Sequence, residues 1–502
     1  MKRLEALSYY FKGGQSESEK NIMNEIFVLP KYIKDITDFS LQNYKVVIGP
    51  KGSGKSLVID YLNEYYLNSN IIALIIRPKD LDIESINSKK IVSEKVKEAK
   101  KQIYESISLR IGEGIDFSLT ETEEYFKALS KAAKPKSTAK KIGEFVTELV
   151  PENYKGLVNA FIKLQSIDTT KFQVNEEVSK YLTGNSRQIM ILVDDLDKAV
   201  EETEMKFQYA SSWAILEAAI EIANEIETSS VLITVRTDIW YLMTKVQKLG
   251  TSIYDKIGDP YNLLVVEDWL ANVFQKRIKL CYRKAESNPK QAYEYDYFFK
   301  PAKIGFYGKN EITRTWEQWM AKNTRNRPRD MIRLMKILIG EAKKESEGDL
   351  DTKITDKMLH NILQDYARER VGYIKQEYIQ IFPKIDEVIY RLKKTRYTFG
   401  EIREYLTSIC GIGLVIDGIP INSNSESDKF KILKILHMAS VINPRIDKTD
   451  GSYEHILFED DNDFIDPNNI SKLQNIVFQV HPTFHSLITK TDIVRVIKRT
   501  KN

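Results

Sequence analysis

The stretch Tyr44-Lys45-Val46-Val47-Ile48-Gly49-Pro50-Lys51-Gly52-Ser53-Gly54-Lys55-Ser56 decides the fold. Its apolar, β-branched opening reads as a buried strand, and Leu57-Val58-Ile59-Asp60-Tyr61-Leu62 beyond it reads as a helix. Between the two, Gly49 to Ser56 matches G-x-x-x-x-G-K-[ST]. Glycines let backbone N–H groups turn inward around phosphate oxygens, and the helix N-terminus adds positive potential. In such a loop Lys55 reaches the β- and γ-phosphates and the Ser56 hydroxyl binds Mg²⁺. The expected nucleotide-binding residues are therefore Gly49, Pro50, Lys51, Gly52, Ser53, Gly54, Lys55 and Ser56.

Further apolar runs lie downstream: Ile71–Ile76, Ile189–Val193, Val231–Val235 and Leu263–Val266. Runs without alternation suit strands buried on both faces, as in a parallel sheet covered by helices. Asp194-Asp195 follows the third run. A carboxylate at such a strand tip can hold Mg²⁺ opposite Ser56, which is the role assigned to Asp194. A second one can orient or deprotonate the attacking water, the role assigned to Asp195. Turn acids after a strand are the plainer alternative, and Asp197 reads as a helix cap. Arg236 ends the fourth run. If that strand neighbours the third, its guanidinium faces the crevice outside the strand tips, to read a γ-phosphate or to pair with acids. A surface pair with Asp238 is the alternative. Asn326-Arg327-Pro328-Arg329-Asp330 opens an amphipathic helix and places Arg327 or Arg329 at its mouth, either facing phosphate or ion-paired.

The 502 residues are too many for one core and imply two or three domains. The composition, 42% hydrophobic and 29% charged, excludes a fibrous or wholly disordered chain, and a net charge of +4 argues against a uniformly basic nucleic-acid coat. Cys281 and Cys410 with five histidines leave no zinc ribbon or disulfide framework, so a reducing compartment is expected. With no apolar run of membrane-spanning length and no signal-like start, the expectation is a cytoplasmic protein with no membrane contact. Boundaries are placed near residues 270 and 395: a core over 1–270, a helical lid over 271–395, and a tail over 396–502. A helical insertion occupies about 83–180. Its Lys131, Lys134, Lys136, Lys140 and Lys141 form either a solvated face or a contact for phosphate backbones or a partner. The aromatics Tyr293, Tyr295, Tyr297, Phe298, Phe299, Trp316 and Trp319 read as core packing rather than base stacking.

In their order these motifs resemble the additional-strand P-loop ATPases, the AAA+ group, and within it origin-recognition-like and STAND/KAP-type proteins, although Lys55 and Asp194 lie further apart than a minimal core needs. Gly49–Ser56 resembles Walker A, Ile189–Asp195 Walker B, Val231–Arg236 the sensor-one strand, and Arg327–Asp330 the sensor-two helix of the lid. GPKGSGKS, DDLD, Arg236-Thr237-Asp238-Ile239 and RPRD together are similar to bacterial ATPases found near anti-phage or mobile-element genes. The resemblance covers about residues 20–340. It implies an α/β P-loop sheet with helical insertion, helical lid and C-terminal winged-helix-like region. Within that region Phe430–Leu436 would be a helix, and Ile456–Phe458 and Ile476–Phe478 the wing strands. It further implies ATP and Mg²⁺ as ligands, Asp195 and Arg236 in catalysis, and Arg329 on the nucleotide. A homo-oligomer or an effector protein is the implied partner, with nucleic acid as the alternative. The absence of an N-K-x-D motif favours adenine over guanine.

Overall fold

The apolar runs pair into one five-stranded parallel sheet: β1 (Tyr44–Gly49), β2 (Ile72–Ile76), β3 (Ile189–Val193), β4 (Ser229–Arg236) and β5 (Tyr261–Asn262). The computed structural model describes residues 1–13, 19–30, 33–69, 71–113, 178, 181–182, 188–199, 201–203, 206–249, 260–263, 267–286, 294–301, 303–306, 309–325 and 327–488. The sheet order is β2-β3-β4-β1-β5, so β4 lies between the strand that feeds the glycine-rich loop and the strand that ends in Asp194. The register pairs Gly49 with Arg236 and Ile76 with Val193, which brings the carboxyl ends of four strands to one edge. The fifth strand is shorter than its apolar run. Leu263 follows it and donates its N–H to Ile48 O at 2.6 Å, and 264–266 lie outside the described residues.

Successive side chains in a strand point to opposite faces, and the sheet divides its core accordingly. Val47, Met190, Leu192 and Leu232 join one cluster; Val46, Ile48, Ile191, Val193, Val231 and Ile233 join the other. The first face packs against α2 (Lys55–Asn68), and α1 (Arg3–Tyr10) joins the same cluster through the lid helices. The second packs against α3 (Val92–Glu113) and α4 (Ala210–Glu225), whose contact is reinforced by Lys100 pairing with Glu221 at 2.9 Å. Residues 83–113 of the stretch read as an insertion thus cover the sheet, and the lysine cluster at 131–141 lies outside the described residues.

The lid comprises α5 (Glu267–Ala285), α6 (Trp316–Asn323), α7 (Pro328–Glu345) and α8 (Asp356–Tyr378), with a hairpin over Lys303–Thr315 that the helical reading missed. Its aromatics pack: Phe298, Phe299, Trp316 and Trp319 are buried, and Phe299 stacks on Trp316 at 4.3 Å. Tyr293 lies outside the described residues. The winged-helix-like region follows, with β6 (Arg396–Tyr397), α9 (Phe399–Cys410), α10 (Glu426–Met438), β7 (Ile442–Asp447), β8 (Tyr453–His455) and β9 (Val477–Val480). Its antiparallel sheet runs β6-β9-β7-β8. The expected helix over Phe430–Leu436 lies inside α10, and β9 takes one wing position. Ile456–Phe458 is not a strand. Asp460 accepts the Leu457 N–H at 2.9 Å and returns its own N–H to Leu457 O, closing a turn that buries Phe458. The hairpin is formed by β7 and β8 instead.

α8 bridges two cores. Met358, Leu359, Ile362 and Tyr366 belong to the cluster shared by sheet and lid, whereas Val371, Ile374 and Tyr378 belong to the C-terminal cluster. No helix among the described residues is long and apolar enough to cross a membrane.

Candidate nucleotide site

The loop after β1 needs its glycines. Gly52 and Gly54 have φ of 82° and 102°, the left-handed region that side chains rarely adopt. A Cβ on Gly49 would sit 3.0 Å from the Leu263 side chain, and one on Gly52 3.2 Å from Arg329 Cβ. Lys55 is the first residue of α2, with Gly54 as its cap. Its ammonium donates to Gly49 O at 2.8 Å and Pro50 O at 2.9 Å. Burial brings its pKa down to about 8, helped by the Arg236 charge and opposed by Asp197, Asp194 and Asp238. Ser53 Oγ is buried in the loop with no hydrogen-bond partner among the described residues.

Across the cleft, Asp194 is nearly inaccessible at the end of β3. Thr234 Oγ1, from β4, donates to Asp194 Oδ1 at 2.7 Å. Asp194 Oδ2 has no hydrogen-bond donor among the described residues, and Arg77 Nε stands 3.5 Å from it while Arg77 Nη2 pairs with Asp60 at 2.9 Å. Burial, then the Asp195 charge, raise the Asp194 pKa against the pull of the Thr234 and Ser56 hydroxyls and Arg77. Asp195 takes a left-handed φ of 61°, which turns its side chain out of the strand line, and it accepts from Lys198 Nζ at 2.6 Å.

Arg236 is held by acids on three sides. Nε donates to Asp238 Oδ1 at 3.1 Å, Nη1 to Asp197 Oδ2 at 3.2 Å, and Nη2 to Glu377 Oε1 of α8 at 2.6 Å. Burial alone would lower its pKa, but Asp238, Glu377 and Asp197 carry it well above the ordinary guanidinium value. Asp197 is therefore a partner of Arg236 and not the helix cap expected, because its short 3₁₀ turn points the carboxylate at β4. Arg329 reaches the loop from the lid: its N–H faces Gly52 O at 3.4 Å and its stem lines the cleft. Arg327 is buried with its Nε unpartnered among the described residues, near the charges of Glu377 and Glu459.

The cleft measures about 320 Å³ and joins the loop, Asp194, Asp195, Asp197, Thr234, Arg236 and Arg329. Its other end is apolar: Ile26, Phe27, Val28, Trp269, Val273 and Ile332, with Phe27 stacked on Tyr61 at 4.4 Å. An inaccessible ion pair, Arg277 with Glu19 at 2.7 Å, closes that end. Sequence reading missed Arg77, Thr234, Glu377 and this apolar wall. Arg77 and Thr234 stood at the tips of recognised strands and carried a signal; the others come from distant segments and carried none.

The metal fits the residues present. Asp194 Oδ2, without a donor among the described residues, and the Ser56 hydroxyl are hard oxygens of the kind Mg²⁺ prefers, and these two residues would hold it. Among the described residues no group of three His, Cys, Asp or Glu side chains could hold a metal alone.

No family model matches the chain. No curated protein matches it either. Among solved structures it is similar to the ORC2 protein of Aeropyrum pernix. The ADPNP–ADP complexes are 10% identical with a TM-score of 0.38, over 97% of this chain and 95% of that one. The ADP form is 9% identical with a TM-score of 0.35, over 98% of each. The strand order β2-β3-β4-β1-β5 and the glycine-rich loop after β1 define the fold.

Proposed function

We propose that the chain is an ATP-binding, Mg²⁺-dependent P-loop ATPase of the AAA+ kind that works as a conformational switch. The observation behind this reading is the juxtaposition of the Lys55 loop with Asp194 and Thr234 across one cleft, with β4 inserted between their strands. Lys55 and the loop N–H groups neutralise the β- and γ-phosphates, while the adenine packs on Phe27, Trp269 and Ile332. Ser56 and Asp194 would hold Mg²⁺, which would neutralise phosphate charge. Asp195 orients a water and accepts its proton as the water oxygen attacks the γ-phosphorus and the β–γ bridging oxygen departs with ADP. Arg236 and Arg329 stabilise charge on the transferred group. The output is movement of lid and tail, passed to a second copy of the chain or to an effector protein, in the cytoplasm of a cell with an anti-phage or mobile-element system.

A specific cluster favours a second reading, action on nucleic acid through the winged-helix-like region. Lys322 Nζ donates to Tyr453 Oη at 2.9 Å and exposed Arg396 pairs in register with Gln479, while Arg445, 3.9 Å from the Tyr453 ring centre, is buried and paired with Asp447 and adds no free charge to that face. Phosphate backbones bind such cationic faces with strong salt dependence.

The test is phosphate release from the purified protein with ATP and Mg²⁺, beside Lys55→Ala and Asp195→Asn, with and without DNA. Turnover lost in both variants supports the hydrolytic site, and salt-sensitive stimulation by DNA selects the second reading. Tight ATP binding without turnover would sink the roles given to Asp195 and Arg236.

A further inference from the structure

Arg236 is over-supplied with carboxylates. A guanidinium has five N–H donors in a fixed fork. Four are used here: Nε and one Nη2 hydrogen on Asp238, the other Nη2 hydrogen on Glu377, and one Nη1 hydrogen on Asp197. The fork lines the same cleft as the phosphate loop, and its Cα is the register partner of Gly49, where the loop begins. A γ-phosphate can therefore be gripped with two donors only if one carboxylate lets go. Asp238 is two residues away and bound through two nitrogens, and Asp197 belongs to the same sheet edge. Glu377 is held by one bond and comes from another layer.

Glu377 is also badly placed for its own helix. It lies in the last turn of α8, where the exposed carbonyls repel an anion. Its side chain is nonetheless only 6% exposed, with Arg236 at 2.6 Å. The end of α8 that carries it is built into the C-terminal core through Val371, Ile374 and Tyr378. A second seam runs parallel: Asn262, at the end of β5, donates to Glu459 O, and Tyr241 meets Phe458 edge-on at 5.5 Å.

We propose that Glu377 is a positioning residue that competes with the γ-phosphate of bound nucleotide for Arg236, so that nucleotide state and the docking of the C-terminal region on the core are coupled. The proposal rests on the nucleotide reading above. With ATP, Arg236 turns to the phosphate and the Glu377 contact weakens; with ADP, Glu377 keeps it. Coupling is reciprocal, so releasing the contact strengthens ATP binding by the factor through which ATP weakens the contact.

The experiment measures ATP and ADP affinities of the full chain with Mg²⁺ for wild type, Glu377→Gln, Glu377→Asp and Arg236→Gln/Glu377→Gln. Hydrogen exchange over residues 371–378 is followed with each nucleotide. Glu377→Gln should raise the preference for ATP over ADP by roughly 5- to 150-fold, the usual range of such coupling. Glu377→Asp, drawn back by one methylene, should raise it less, and the double variant should show no gain. Exchange over 371–378 should be faster with ATP than with ADP in the wild type and equal in Glu377→Gln. A folded Glu377→Gln with the wild-type ATP preference overturns the latch while leaving the nucleotide reading intact. A wild type that binds ATP no better than Lys55→Ala overturns that reading, and the latch with it.

Discussion

Two arginine–carboxylate clusters touch α8 about two turns apart, and their charges are reversed. In one, Asp330 sits between Arg325, whose Nη2 is 2.7 Å away, and Arg370 of α8, with Arg327 close by. In the other, Arg236 sits among Asp197, Asp238 and Glu377. The Asp330 cluster is sealed, with its three side chains 2–4% exposed, and it touches neither loop nor cleft. The Arg236 cluster opens on the cleft. The same chemistry is thus a fixed pin in one place and an exchangeable grip in the other, because only one of the two can meet an incoming anion. Breaking a sealed pair leaves a charge that nothing can solvate, whereas an anion-rich cluster at a cleft can trade a carboxylate for a phosphate.

The largest effect should come from the pin. Asp330→Ala leaves Arg325 buried without its carboxylate and Arg370 with Glu369 alone, and should cost about 3–5 kcal/mol of stability in urea denaturation. Any protein that remains folded should keep its ATP preference over ADP. A changed preference would mean that the two clusters are one network. Next is Thr234→Val, which leaves Asp194 Oδ1 buried without its donor. The cost should be about 1–3 kcal/mol, and Mg²⁺-dependent nucleotide binding should fall while binding without metal holds. An equal loss in both conditions would place Thr234 with the pin. Smaller again is Gly52→Ala, which forces φ of 82° on a side chain 3.2 Å from Arg329. A cost of about 1 kcal/mol in stability should accompany weaker nucleotide binding, and Arg329→Gly in the same chain, which removes the Cβ that the new methyl meets, should relieve the contact but not the backbone strain.

The contrast also marks what could be read from the chain. The loop was legible because its conformation needs consecutive residues: two left-handed glycines, a lysine and a hydroxyl, in that order, after a buried strand. Asp194 and the alternation of Val46, Val47 and Ile48 between two cores were legible for the same local reason. Arg236 was legible as a residue of the crevice, but its state was not. Asp238, two residues on, was the partner in view, and Glu377 lies 141 residues away on a helix of another layer. The apolar wall, from Phe27 and Trp269, was illegible because ordinary core residues in separate segments become a site only by packing. The wing failed at Ile456–Phe458, where a strand-like run is diverted by the carboxylate of Asp460 two residues beyond it.

The last effects lie in pH, and their signs separate the sealed Asp330 cluster from Lys55 at the cleft. Arg325 and Arg370 overcome burial and hold Asp330 down at about 2, so its contribution is complete above the ordinary carboxylate value and is lost as pH falls from near 3.8 to about 2. Lys55 behaves in the opposite way. Burial lowers it to about 8, so between about 8 and 10.5 the folded chain holds fewer protons than the unfolded one, and stability attributable to Lys55 rises with pH. Phosphate, however, binds the ammonium form, so nucleotide affinity should fall over the same window. The difference between wild type and Lys55→Ala isolates both curves. Stability rising while affinity falls from about pH 8 would place the buried ammonium at the phosphate site. If the two curves move together, Lys55 serves only to staple the Gly49 and Pro50 carbonyls, and belongs with Asp330 among the pins.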